Sequence, residues 1–150
     1  MTVMKARWED FASFVLTIAQ EIAYPSWYHE YVDTIHILAA LLSTPGCTAS
    51  LIVGECGVHP TTIVSEIKKR FPPGPPFVIM GSLPLTRRVL HVWEHARAEA
   101  FPDDCFGSEH ILLGLLDDSD SDAAAILKYF GLSKKSVTDA LTTITRATQA

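Results

Sequence analysis

The sequence predicts an all-α domain of about eight helices, arranged as two copies of one four-helix unit around a shared core. Apolar residues recur at helical spacing, and no segment alternates convincingly with a period of two. Residues 36–67 also align with residues 110–141 without a gap, and eight of the 32 paired positions are identical. Because apolar residues recur in the same order, the copies are predicted to form one pseudo-two-fold domain over residues 1–150.

The first half of repeat one, which spans about residues 8–71, is predicted to hold two helices. Apolar residues at i, i+3, i+4 and i+7 indicate a helix over about residues 8–23, and Pro25 is expected to end it. Thr34 is the predicted N-cap of the second helix, which runs to residue 42.

The second half of repeat one is predicted to hold two more helices. A third helix covers about residues 48–56, and Gly57 suits the left-handed position just after it. Pro60 is typical of the first turn of a helix, so a fourth helix is expected from there to about Arg70.

Repeat two, about residues 85–147, is predicted to follow the same order. Thr86 opens its first helix, and Ser108 is the expected cap of its second. Gly131 is expected to end the third helix, and Ser133 is expected to cap the fourth.

The segment between the repeats, residues 72–84, contains five prolines and two glycines, which exclude a helix. It is predicted to be an extended spacer whose apolar residues pack on the domain. A proline-rich ligand for an SH3-type domain is the alternative. Residues 77–80 could form a strand, but the run is too short and isolated to predict a sheet.

Composition excludes several classes of protein. With 48% apolar and 19% charged residues, the chain is expected to fold rather than stay disordered. A net charge of -5 and no basic run longer than residues 68–70 argue against nucleic-acid or anionic-membrane partners. No apolar run is long enough to span a bilayer, and Glu9 and Asp10 would interrupt a signal peptide.

The three cysteines predict a reducing compartment. Cys47, Cys56 and Cys105 form no C-x-x-C motif, which argues against a disulfide framework and a structural zinc site. They are expected to be small buried side chains in a cytoplasmic protein.

Residues 108–116, SEHILLGLL, resemble the Clp amino-terminal repeat, in which this segment is (S/T)-E-H-I-L-L-(G/A)-L-(L/I). Supporting features are Ala-Gln-Glu at 19–21, Gly-Val at 57–58 and Gly-Leu at 131–132. Residues 85–88, LTRR, are similar to the family's (F/L)-T-P-R opening, with arginine where proline is usual.

The resemblance covers about residues 8–147 and implies a non-enzymatic module at the N-terminus of ClpA/ClpC-type AAA+ unfoldases. Such modules bind adaptor proteins and substrate segments and, in the ClpC branch, phosphorylated arginine. Stand-alone proteins made only of this repeat also exist. The chain lacks a G-x-x-x-x-G-K-(S/T) phosphate loop, so it is either such a module or the N-terminal fragment of a full-length Clp ATPase.

The resemblance and the charges together predict one phosphoarginine-type site, in repeat two, at Thr86, Arg88 and Glu109. A carboxylate pairs with a guanidinium, whereas a hydroxyl, an arginine and helix N-terminal amides suit a phosphate. Repeat one is expected to lack the site, because its corresponding residues are Glu9, Phe11 and Ile35.

A metal-dependent hydrolase is the rival function, because His91, Glu94 and His95 match the zinc pattern H-x-x-E-H. The apolar residues of the same helix cluster on the other face, and these are Val89, Val92, Trp93, Ala96 and Ala100. Both histidines are therefore expected to point to solvent, with neither a metal nor a cofactor bound. A structural homo-oligomer without a ligand is a third possibility.

His36 and His110 occupy matching positions, where a paired acid–base role is conceivable. Burial with a ring nitrogen bonded to a backbone carbonyl is the favoured interpretation.

Residues 117–122 resemble the start of an EF-hand loop, but the glycine at its sixth position and the glutamate at its twelfth are absent. A solvated loop in which Ser121 or Asp122 caps the next helix is expected.

Overall fold

The computed structural model describes residues 8–44, 47–100 and 107–149, with side chains at 8–12, 100 and 148–149 outside that description. Within these ranges the chain forms eight α-helices and no strand, which confirms the all-α prediction. The helices are α1 (Trp8–Glu21), α2 (Thr34–Leu42), α3 (Thr48–Glu55), α4 (Pro60–Arg70), α5 (Arg87–Ala100), α6 (Ser108–Asp117), α7 (Asp122–Tyr129) and α8 (Lys134–Gln149). Among the described residues, none of these helices is long and apolar enough to cross a membrane.

The helices pack across the two repeats in matched pairs. From repeat one, α2 and α4 both pack on α7 of repeat two. From repeat two, the equivalent helices α6 and α8 both pack on α3 of repeat one. Within the repeats, α1 packs on α2 and α5 packs on α6. Every residue of α2 is buried, and its apolar side chains join those of both repeats in one core. This arrangement is the pseudo-two-fold packing that the repeat predicts.

The close approach of α5 and α6 depends on a glycine. Gly114 is buried, and a Cβ at this position would lie 2.8 Å from the carbonyl oxygen of Val92. That contact is too short for a side chain, so Gly114 allows α6 to lie against the backbone of α5. Val89, Val92 and Ala96 form the buried face of α5, as the sequence predicts.

Several predicted boundaries shift by a residue or two. The regular α1 helix ends at Glu21, and an irregular π-type turn (Ile22–Ser26) then carries the chain through Pro25. The cap of α2 is Asp33 rather than Thr34, because the Asp33 carboxylate accepts from the Thr34 amide at 2.8 Å. Likewise the N-cap of α6 is Gly107 rather than Ser108, which is the first residue of the helix.

Other predicted boundaries are confirmed. Gly57 and Gly131 have φ values of +85° and +82°, the left-handed conformation expected after α3 and α7. Pro60 is the first residue of α4. The Ser133 hydroxyl accepts from the Ser136 amide at 3.2 Å and so caps α8.

The hydroxyls of Thr34 and Ser108 have another role, which joins the repeats. Ser108 Oγ accepts from the Ala49 amide at 2.8 Å, and Thr34 Oγ1 accepts from the Ala123 amide at 3.4 Å. All four residues are buried. Since Thr34 and Ala49 precede Ser108 and Ala123 by 74 residues each, the second helix of each repeat completes the start of the other repeat's third helix.

The segment between α4 and α5 is attached to repeat one. The side-chain amide of Gln20 makes two hydrogen bonds to the Leu83 backbone, each 2.9 Å long. Phe77 packs against the core, but Val78 and Met80 are 90% and 95% exposed. The expectation that the apolar residues of this spacer pack on the domain is therefore only partly right.

Replacing Ser108 by alanine should lower the free energy of unfolding by about 1–3 kcal/mol, because it leaves the buried Ala49 amide without an acceptor. Thr138→Ala is a matched control, since its hydroxyl is exposed and bonds only within α8 in the described structure. That change should stay within about 0.5 kcal/mol. Urea denaturation followed by circular dichroism measures both. Equal losses in the two variants would contradict a structural role for the crossed bond.

Candidate functional site

Glu109 lies in the first turn of α6 with its carboxylate folded back over the start of the helix. A Cβ on Gly107 would meet the Glu109 carboxylate, so the glycine leaves room for the carboxylate in this position. The Glu109 side chain is 20% exposed. Its Oε2 atom is buried and has no hydrogen-bond partner among the described residues. Such an oxygen can accept a donor that a ligand brings.

The structure does not bring Thr86 and Arg88 together with Glu109. Thr86 Oγ1 donates to Asp33 Oδ1 at 2.9 Å, which places it at the start of α2 in repeat one. Arg88 pairs with Asp118 Oδ2 at 2.6 Å, and this pairing raises the Arg88 pKa. Asp118 follows the last residue of α6, so it lies about 13 Å along the helix from Glu109.

A groove of about 770 Å³ runs between α5 and α6, and its lining includes Arg88, His91, Glu94, His95 and Asp117. His91 is exposed as expected, but the prediction that His95 also points to solvent is wrong. Its side chain is 24% exposed and turns toward the end of α6, where His95 Nε2 lies 3.3 Å from Asp117 Oδ1.

The Asp117 carboxylate in this groove is already paired. It accepts from Lys134, which lowers the Asp117 pKa. Among the described residues, no three His, Cys, Asp or Glu side chains are placed to hold a metal ion. The geometry therefore gives no support to the H-x-x-E-H hydrolase.

His36 and His110 each use Nδ1 to accept from a backbone amide, and for His36, whose Nε2 faces His29, this corrects the expected bond to a carbonyl. His36 Nδ1 accepts from the Asp33 amide at 2.9 Å, and His110 Nδ1 accepts from the Gly107 amide at 3.0 Å. Each histidine thus closes the first turn of its helix from the third helical position.

A hydrogen-bonded chain extends from His36 to the spacer. His36 Nε2 lies 2.7 Å from His29 Nδ1, and His29 Nε2 lies 3.2 Å from the Pro72 carbonyl oxygen. Because His36 Nδ1 is an acceptor, the neutral ring carries its proton on Nε2 and donates it to His29. Burial, together with the neighbouring His29, lowers the pKa of His36 to about 4.

A second groove, of about 380 Å³, lies in repeat one, and we call it the repeat-one groove. Its lining includes His29, Glu30, Tyr31, Ile35, Arg70 and Asp122. Sequence reasoning considered Ile35 only as a lost recognition residue and missed the others. The available signal was the cluster of polar and aromatic side chains over residues 28–33, just before an apolar helix.

The remaining motifs have structural roles. Ser121 Oγ accepts from the Ala124 amide at 3.1 Å and caps α7, which confirms the expected loop. Cys47 and Cys56 are free and only partly buried, and Cys47 Sγ accepts from the Ser50 amide at the start of α3. Cys105 lies outside the described residues.

Comparison with known proteins identifies the fold. The Clp repeat (R) N-terminal domain family matches residues 10–130. A probable ATP-dependent Clp protease ATP-binding subunit of Chlamydia pneumoniae is 32% identical over 111 residues, which are 73% of this chain and 13% of that protein. The N-terminal domain of the chaperone ClpD from Arabidopsis thaliana superposes with a TM-score of 0.66 at 22% identity, covering 97% of this chain and 98% of that one.

The N-domain of ClpV in complex with a VipB peptide has the same fold, with a TM-score of 0.57 at 14% identity and coverage of 85% of this chain and 86% of that one. The described structure is thus an all-α protein whose two four-helix repeats share one core. The chain belongs to the Clp repeat N-terminal domain family, as residues 108–116 indicated. It spans about one eighth of the Chlamydia relative.

Stability should fall as the pH is lowered from about 6.5 to about 4, because His36 binds a proton more readily in the unfolded chain. Within this window the unfolded state holds more protons, so stability rises with pH. The shift corresponds to about 3 kcal/mol near neutral pH. In His36→Gln the glutamine can still accept from the Asp33 amide, but this part of the pH dependence should be lost. Urea denaturation at a series of pH values measures the free energy of unfolding of both chains. An unchanged slope would contradict the assignment to His36.

The tag-free protein should hold well under one zinc ion per chain, because zinc would have to displace Lys134 from Asp117. Elemental analysis after dialysis against zinc measures this, with His91→Ala as the comparison. A tightly held ion that disappears in the His91→Ala chain would favour the hydrolase.

Proposed function

We propose that this chain is a non-enzymatic module that binds peptide segments of partner or substrate proteins for a Clp proteolytic machine. Membership of the Clp repeat N-terminal domain family supports this. So does the fold shared with the ClpV N-domain, which has been solved with a VipB peptide. The partner ATPase belongs either to the same polypeptide or to a separate chain. A cytoplasmic location stays a prediction from the cysteines.

The single observation that carries the proposal is the buried Glu109 oxygen without a described partner. A carboxylate oxygen shielded from water is stabilised by a charged donor, and the guanidinium of an arginine side chain fits it in charge and shape. We propose that Glu109 accepts an arginine of the bound segment, either unmodified or phosphorylated.

Phosphoarginine remains part of the proposal, but Thr86 and Arg88 are not the residues that we expect to contact its phosphate. Arg88 is held by Asp118 at the far end of α6, and Thr86 is bonded to Asp33 at the start of α2. A phosphate beside Glu109 would therefore need other donors, and the backbone amides at the start of α6 are the nearest by position. Arg88→Ala should consequently leave the affinity unchanged.

Glu109→Gln should weaken an arginine or phosphoarginine peptide by roughly ten- to a hundred-fold, because it removes a charge-assisted hydrogen bond. Calorimetric titration with both peptides measures this, and thermal unfolding should change little. Ile35→Ala is the comparison at the equivalent position of repeat one. It should lower the free energy of unfolding by about 2–5 kcal/mol and leave the affinity for the phosphoarginine peptide intact.

Two equivalent sites per chain, or an affinity unaffected by Glu109→Gln, would contradict this site. Absence of binding by both peptides would also overturn arginine recognition and leave protein–protein contacts as the function of the module.

A further inference from the structure

One wall of the repeat-one groove is formed by the start of the spacer, which is held closely against the preceding turn. The Gly74 amide donates to the Trp27 carbonyl at 3.0 Å, and a Cβ on Gly74 would lie 2.6 Å from the Tyr28 carbonyl oxygen. A residue with a side chain could not approach so closely. The hydrogen bond between His29 and Pro72 fixes the same wall. These contacts hold this wall of the groove in place.

The floor of the groove is apolar at the position where repeat two carries a carboxylate. Ile35, which aligns with Glu109, is 3% exposed, and Phe71 lines the groove with it. The Tyr31 ring is half exposed at the edge. This floor suits a hydrocarbon chain, so a charge on the ligand has to remain at the rim.

The rim of the groove is negative. Glu30 and Asp122 are exposed, and neither has an ion-pair partner in the part of the chain that the structure describes. Arg70 also lines the groove, but its Nε atom lies 2.9 Å from Glu66 Oε1 and its guanidinium lies 4.8 Å from the Tyr129 ring centre. Its charge is thus offset by Glu66. A third carboxylate of the lining, Asp33, already accepts from the Thr34 amide and the Thr86 hydroxyl, so Glu30 and Asp122 are the carboxylates that can act on a ligand.

We infer that the repeat-one groove binds a basic side chain of an extended peptide, with its methylene stem on Ile35 and its cationic head beside Glu30 and Asp122. Lysine and arginine fit because each places a cation at the end of a long apolar stem. An acidic or phosphorylated side chain would meet two unpaired carboxylates. This site does not depend on the Glu109 proposal, because it lies in the other repeat and has a different floor.

Three fluorescent peptides test this inference directly. They share a backbone of glycine, serine and proline and carry lysine, norleucine or glutamate at one central position. Norleucine keeps the four-carbon stem and removes the charge. Fluorescence anisotropy is measured with the Glu109→Gln chain, so that the site proposed in repeat two contributes little to the signal.

The lysine peptide should bind about five- to twenty-fold tighter than the norleucine peptide, the size expected for two partly exposed ion pairs. The glutamate peptide should bind most weakly. The preference for lysine should shrink as salt is raised from about 0.1 M to about 1 M, because the Debye length falls from about 10 Å to about 3 Å.

Two pairs of variants locate the site. Asp122→Asn should weaken the lysine peptide about three-fold or more, whereas Asp120→Asn, an exposed carboxylate outside the groove lining, should not. Tyr31→Ala should weaken the lysine and norleucine peptides alike, whereas Phe14→Ala, also half exposed, should weaken neither. Thermal unfolding checks that each variant is folded.

Equal affinity for lysine and norleucine would overturn the inference, as would tighter binding of the glutamate peptide. Equal effects of Asp122→Asn and Asp120→Asn would also overturn it, because they would show attraction by overall charge rather than by a groove. No binding of the lysine peptide by a folded chain would refute this site without affecting the result at Glu109.

Discussion

The crossed hydrogen bonds of Ser108 and Thr34 are the constraint on which the rest of the structure depends. Each hydroxyl completes the start of a helix in the opposite repeat, so the buried Ala49 and Ala123 amides each depend on the other repeat for an acceptor. This arrangement brings α2 and α6 into the centre of the molecule. Their first turns are therefore where the two candidate binding surfaces lie, at Ile35 in one repeat and at Glu109 in the other.

The sequence predicted the helices well because helix formation is largely local. Apolar spacing, the glycines after α3 and α7, and Pro60 are signals that act within a few residues. The crossed hydroxyls were not predictable in the same way. A hydroxyl before an apolar run is typical of an N-cap, and the repeat shows which positions are equivalent but not which copy each one contacts. The local pattern therefore predicts that Thr34 and Ser108 cap their own helices.

The candidate site was less predictable than the fold for the same reason. Thr86 follows the spacer and was assigned to repeat two by its place in the chain, but α5 also packs on α2, which brings Thr86 to Asp33. Arg88 lies two residues later, yet it reaches Asp118 at the opposite end of α6 from Glu109. The chain from His36 through His29 to Pro72 joins three separate segments, so no local pattern could indicate it.

The exposed part of the spacer also bears on self-association of the protein. Val78 and Met80 project into solvent from an uncharged, extended segment, which is the kind of edge on which chains add as strands in aggregates. Pro76 cannot donate a hydrogen bond to such a ladder, and Gly81, at a φ of +91°, ends the extended run. Only four residues remain between them, fewer than the six or so that a stable cross-β stack requires.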